Sequence, residues 1–81
     1  MSYHYVYILQ SETHCDKFYT GRTQNLGERL KYHNTGKCKY TSDYIPWKIK
    51  TAIAFTDRQK AIDFECYLKT QSGRAFAKNR L

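Results

Sequence analysis

From His4 to Gln10 the chain alternates Tyr5, Tyr7 and Leu9 with Val6 and Ile8, so an extended segment here carries apolar side chains on both faces. Such a strand is covered on each side, which predicts a central position in a sheet. A polar connection, Ser11 to Asp16, leads to a shorter run, Lys17 to Gly21, with Gly21 as its stop. A hairpin is the economical way to join the two, and it brings Tyr7 near Tyr19. Asn25 stands three residues before Glu28, the spacing of a capping box, and Leu26 and Leu30 supply the apolar stripe of a helix reaching about Asn34, with Gly36 to end it. Residues 35 to 47 show little periodicity and read as a basic, polar loop containing the Ile45-Pro46 step. Lys48 to Phe55 predicts a third strand. Thr56 and Gln59 form a second capping-box pair, opening a helix to about Thr70, and Ser72 is placed to cap a last helix running to Arg80. The expected fold is α+β, a small three-stranded antiparallel sheet flanked by helices, in a single domain spanning 1–81.

Glu65 interrupts this pattern. At 100° per residue, Ala61, Ile62, Phe64, Cys66 and Leu68 form the inward arc of their helix, and Glu65 falls in the middle of it. Burying an unpaired carboxylate costs several kcal/mol, so Glu65 must be paired with Arg29 or a neighbouring Lys, hydrogen-bonded, or turned toward a cleft where a cation sits. Arg29 and His33 are four residues apart, hence neighbours on one helix face beside the Leu26 and Leu30 stripe, where they would rim a cleft. Ordinary structural roles exist for each: an edge arginine often snorkels, a half-buried histidine is often merely satisfied, and strand tyrosines pack well.

Composition narrows the function classes. With 81 residues there is room for one thin core, which buries about 60–65% of the unfolded surface. Fourteen Lys and Arg against seven Asp and Glu give a net charge of +7, spread along the chain, and favour a polyanionic partner. No apolar run approaches the roughly 20 residues of a membrane span, and Tyr5 to Leu9 is too short for a signal-peptide core, so a cytoplasmic location is expected. Cys15, Cys38 and Cys66 are odd in number and widely spaced, which suits reduced thiols; His14-Cys15 lacks the second chelating pair of a zinc finger.

The constellation Val6-Tyr7-Ile8, Tyr19-Thr20-Gly21, Arg22, Arg29, His33 and Glu65 resembles the GIY-YIG nuclease domain, and the small stand-alone bacterial members in particular, from about Tyr5 to the C-terminus. Tyr5 and Thr20 stand where the family name has Gly and Ile, both packing positions. The asparagine many family nucleases carry some twelve residues after the glutamate is replaced by Ala77, and Asn79 is offset from it. The resemblance implies a metal-dependent endonuclease. Tyr7, with Tyr19 beside it, would orient and deprotonate a water; Arg29 would clamp the scissile phosphate; Glu65 would hold one Mg²⁺ or Mn²⁺; Arg22 and His33 would support tyrosine and phosphate. A free tyrosine with a pKa near 10 is only ~0.1% phenolate at pH 7, so its surroundings must assist. One carboxylate suits Mg²⁺, which takes few protein ligands and keeps waters and phosphate oxygens.

DNA is the foremost expected substrate, bound through Arg22, Arg29, Lys37, Lys39 and Lys48, with Tyr40 and Tyr44 available to stack on unpaired bases. Trp47 reads more simply as a core cover. A single basic loop is too small to read a long base sequence, so selectivity should follow nucleic-acid shape, unless a homodimer or a targeting partner protein adds contacts. The rival expectation is a nucleic-acid-binding module with weak or lost activity, and an RNA-directed role is a third.

Overall fold

The structure is a computed structural model that describes residues 2–81. Strand β1 (His4–Ser11) lies at the centre of a three-stranded sheet of order β2-β1-β3, antiparallel to both β2 (Phe18–Thr23) and β3 (Trp47–Phe55). The two-sided apolar pattern of β1 has the expected cause, because helices cover both of its faces. Val6 and Ile8 meet Ala61 and Leu68 of α2 (Arg58–Leu68), supported by Phe64 and by Ala77 of α3 (Gln71–Arg80). Tyr7 and Leu9 point the other way, against Trp47 and against Leu26 and Leu30 of α1 (Leu26–Asn34). The pairing of β1 with β3 shifts register between Ile8 and Leu9.

The first helix begins and ends as its sequence predicts. The Asn25 side chain accepts from the Glu28 backbone N–H at 3.0 Å, and Gly36, at φ +81°, takes the left-handed conformation that lets the chain leave α1 without a Cβ clash. Two other starts differ from expectation by one or two residues. Asp57, not Thr56, caps α2, since its carboxylate accepts from both Gln59 and Lys60 N–H groups. Thr70, not Ser72, caps α3 by accepting from Gly73 N–H, so Thr70 alone separates α3 from the α2 C-cap residue Lys69. On α2, Cys66 is exposed and lies outside the inward arc assigned to it, whereas Ala61 and Leu68 are buried.

The segment between α1 and β3 is more ordered by side chains than its sequence suggests. It contains a short 3-10 turn, Ser42–Tyr44. Trp47 is buried as a core cover, its indole N–H donating to the Thr41 carbonyl at 2.8 Å. Asn34 clamps the Trp47 backbone from both sides: its Oδ1 accepts from Trp47 N–H, and its Nδ2 donates to the Trp47 carbonyl at 3.1 Å. These bonds fix the loop against the end of α1, and so fix Thr41 beside His33.

Candidate active site

Tyr7 and Gly21 are directly opposed on β1 and β2. The Tyr7 ring crosses Gly21, where a Cβ would land on the phenol, 2.6 Å from Cζ and 3.2 Å from Tyr19 Cε2. Glycine is therefore required at this position by close approach. The phenol carried over the edge strand meets α1 on the same face. Its oxygen is 3.1 Å from His33 Nε2, and His33 Nδ1 is 3.0 Å from Thr41 Oγ1. The Thr41 hydroxyl also lies 3.4 Å from the Cys38 carbonyl, and when it donates there its oxygen accepts from His33 Nδ1–H. In that tautomer Nε2 carries no proton and accepts from the Tyr7 hydroxyl.

His33 is 1% exposed, and the expectation that it rims a cleft beside Arg29 is corrected: only Arg29 faces solvent. The imidazole lies over the inner side of α1, where Tyr19 packs against it at a ring separation of 4.8 Å. Burial, with the Arg29 charge as a second cause, holds His33 below its ordinary pKa and keeps it neutral. Burial also raises Tyr7 well above the usual tyrosine value; the Tyr19 hydroxyl and the Glu65 charge push the same way, and Arg29 opposes them. Tyr19 is raised as well, first by burial, with Lys69 and Arg29 pulling it back.

The strand alternation that aims Tyr19 and Gly21 at α1 turns Arg22 to the other face, toward α2. There its Nε lies 3.4 Å from Glu65 Oε1, while Lys69 Nζ, one helical turn beyond, lies 3.1 Å from Oε2. Glu65 is thus paired, with its side chain 18% exposed. The partners are Arg22 and Lys69; Arg29, the arginine first considered for this pair, instead lays its guanidinium over the Tyr32 ring at 5.5 Å. Lys69 is more than half exposed, so its pair adds little stability. The candidate residues consequently straddle the β2 edge, phenol and imidazole on one face, carboxylate and guanidinium on the other, close enough that Glu65 and Arg29 both influence the two tyrosines.

The basic loop occupies a different place. Lys48 pairs with Gln10 at the far end of β1, and Arg22 with Val6 near its start. Lys37 and Lys39 are exposed, and Tyr40 is 84% exposed with a free face. Tyr44 is half-buried: His14 and Trp47 pack edge-on against it at 5.0 and 6.4 Å, and Lys17 lies over its ring, so the stacking face expected of it is already engaged. Thr41, Lys69 and Arg58 were not singled out by sequence. Lys69 carried a signal, its four-residue offset from Glu65; Thr41 carried none, since its role depends on the loop's return to His33.

Among the described residues no three His, Cys, Asp or Glu side chains gather as a metal cluster. Among the described residues the three cysteines are free, and no helix is long and apolar enough to cross a membrane. Glu65 offers hard oxygen donors from one carboxylate, a set that fits Mg²⁺ or Mn²⁺ shared with substrate phosphate and does not fit a closed structural site.

Comparison with known proteins agrees with this fold. The model of the GIY-YIG catalytic domain matches residues 3–79. A UPF0213 protein of Bacillus licheniformis is 39% identical over 70 residues, covering 85% of this chain and 70% of that protein. One from Streptococcus agalactiae is 36% identical over 72 residues, 88% of this chain and 80% of its own length. The solution NMR structure of a UPF0213 protein from Bacillus halodurans superposes with a TM-score of 0.57 at 29% identity, covering 95% of this chain and 83% of that one. With its sheet order, its two facing tyrosines and a match over nearly its whole length, the chain belongs to the GIY-YIG catalytic-domain family and carries that nuclease-type fold.

Proposed function

We propose that this chain is a metal-dependent endonuclease that hydrolyses nucleic-acid phosphodiesters, DNA foremost, and selects its substrate by shape. The observation that carries the reading is the Tyr7–His33–Thr41 hydrogen-bond chain, laid over Gly21 next to the cationic edge of β2. Tyr7 cannot rest as a phenolate, because burial raises its pKa. It can act by transfer instead: as water attacks phosphorus, its proton passes to the Tyr7 oxygen while the Tyr7 proton moves to the bare Nε2 of His33. The neutral imidazole is the acceptor this requires, and Thr41 keeps it in the receptive tautomer. Arg29, exposed and unpaired with any carboxylate among the described residues, holds the scissile phosphate by its guanidinium fork. Arg22 serves both the phosphate and Glu65.

Glu65 would hold the Mg²⁺ or Mn²⁺, and when bound the cation supplies positive charge against the leaving oxygen. Its two present partners, Arg22 and Lys69, occupy both carboxylate oxygens. Lys69 is a mobile, solvated partner, and a phosphate arriving with the cation offers it a new counter-charge.

The same occupied carboxylate, together with burial that pushes the pKa of both tyrosines up, favours a second reading: a nucleic-acid-binding module that keeps the fold without cutting. Incubation with single-stranded, duplex, flapped and branched DNA and with RNA, in Mg²⁺ or Mn²⁺ and with an EDTA control, separates the two. Cation-dependent cleavage that disappears in Glu65→Gln, whose fold and binding persist, is the expected result. Binding with no cleavage of any substrate would leave the module reading standing and remove the enzyme. A sharp consensus of cut sites on a randomised duplex library would overturn shape selection.

A further inference from the structure

Three arginines from three separate elements line one groove at the end of the sheet where β1 begins. Arg22 comes from β2, Arg29 from α1 and Arg58 from the first position of α2; with His4 they line an open groove of about 450 Å³ whose one acidic wall residue is Glu28. Among the described residues Arg29 and Arg58 have no carboxylate partner, and Asp57 beside Arg58 is committed to the α2 backbone. Bringing like charges together raises the free energy of the fold unless an anion sits among them. The planar guanidinium fork matches phosphate oxygens in pairs, which makes a phosphate the natural occupant.

We propose that this groove is a second phosphate site, taking a backbone phosphate of the bound nucleic-acid strand next to the scissile one, with Arg58 as its principal contact. The inference rests on the nucleic-acid reading above and adds a residue that neither the motif nor the basic loop includes. Continuity with the candidate active site supports the placement. Arg22 lines the groove while pairing with Glu65, and Arg29 lines it while its charge acts on Tyr7. A strand running along β1 past Tyr7 would therefore have Arg58 on one side and Lys48, paired with Gln10 at the opposite end of β1, on the other. The groove wall also contains Thr23, Gln24 and Asn25; the Thr23 hydroxyl and Asn25 Oδ1 are engaged with the local backbone, and the side-chain amides of Gln24 and Asn25 add neutral donors beside the charged guanidiniums.

The test is equilibrium binding of the full chain to a labelled flapped DNA oligonucleotide in EDTA, by fluorescence anisotropy, so that cleavage plays no part. Arg58→Ala should weaken binding about tenfold, the size of one charge-assisted hydrogen-bonded contact. The slope of log K against log salt should fall by about 0.7 to 0.9 over roughly 50–200 mM salt. Lys78→Ala, a basic residue on α3 away from the groove, should change neither. A set of DNAs carrying one neutral methylphosphonate linkage each locates the contact: the wild type should lose affinity at a linkage adjacent to the cut site, and Arg58→Ala should be indifferent to that linkage while still responding to the others. Unchanged affinity and slope in Arg58→Ala, or methylphosphonate penalties that all persist in it, would overturn the site. Wild-type protein that binds neither DNA nor RNA even at the lowest salt would overturn the nucleic-acid reading itself, and the groove's assignment with it.

Discussion

The two faces of β1 hold two different kinds of core. Toward α2 and α3, Val6 and Ile8 pack on Ala61, Leu68, Phe55, Phe64, Ala77 and Leu81, an apolar cluster with the Arg22–Glu65 pair and Thr51 at its margin. Toward α1, Tyr7, Leu9 and Trp47 share the interior with His33 and Thr41, both buried, and the polar atoms there are partnered with one another. The first face is stabilised by removing apolar area from water and depends little on direction. The second contains groups that cost free energy to bury unless every hydrogen bond is made, so it is specified by angles and tautomers as much as by volume. In a domain this small, one of the two core clusters is under that constraint, and it is the one that contains the Tyr7 hydroxyl.

The largest expected effect sharpens that contrast on the polar side. Tyr7→Phe keeps the ring over Gly21 and removes only the hydroxyl, so cleavage should drop by about 10²–10⁴-fold, the usual worth of a positioned acid–base group. Stability should change by about 1–3 kcal/mol or less, set by the His33 nitrogen left unpaired. Single-turnover cleavage and urea unfolding on the same preparation check both; an unaltered cleavage rate would break the assignment of Tyr7.

Leu68→Ala is the counterpart on the apolar side. Removing a buried side chain from that small core should cost about 2–5 kcal/mol. In the fraction that remains folded, read at low temperature, cleavage and nucleic-acid binding should stay near wild type. Activity lost in proportion to nothing but the unfolded fraction supports two separable cores, whereas a folded but inactive Leu68→Ala protein would show that they are coupled.

The smallest effect concerns pH. Burial, then Arg29, keeps folded His33 below its ordinary value of 6.5. Below that pH the unfolded chain therefore binds a proton that the folded chain refuses. Stability from this source is complete above about pH 6.5 and declines as pH falls, by at most about 1.4 kcal/mol per unit. Urea midpoints measured from neutral pH down through this window should show a shallower decline for His33→Gln than for the wild type. Identical slopes would mean that His33 is not the group responsible.

Sequence alone determined a good deal about this protein, and what it determined is local or repeated. The double-sided alternation of Val6, Tyr7, Ile8 and Leu9 specified a central strand, the Asn25 to Glu28 spacing specified a helix start, and the misplacement of Glu65 on an apolar arc marked it as a residue needing a partner. Such features depend on neighbours within about four positions, where strand and helix periods fix which side chains share a face. The caps at Asp57 and Thr70 were missed by one or two residues, because adjacent polar residues compete for the same backbone N–H groups and only the final helix path selects one. The tertiary structure decided the rest. Arg22 rather than Arg29 reached Glu65 because strand alternation turned it toward α2, His33 is held between Tyr7 and Thr41 because the return of the loop placed Thr41 against it, and Arg58 joined Arg22 and Arg29 because the end of β2 lies beside the starts of α1 and α2. Each of these meetings lies beyond the four-residue reach of helix and strand periods; strand order, loop return and helix packing set them, bringing together residues whose types the sequence shows but whose distances it does not.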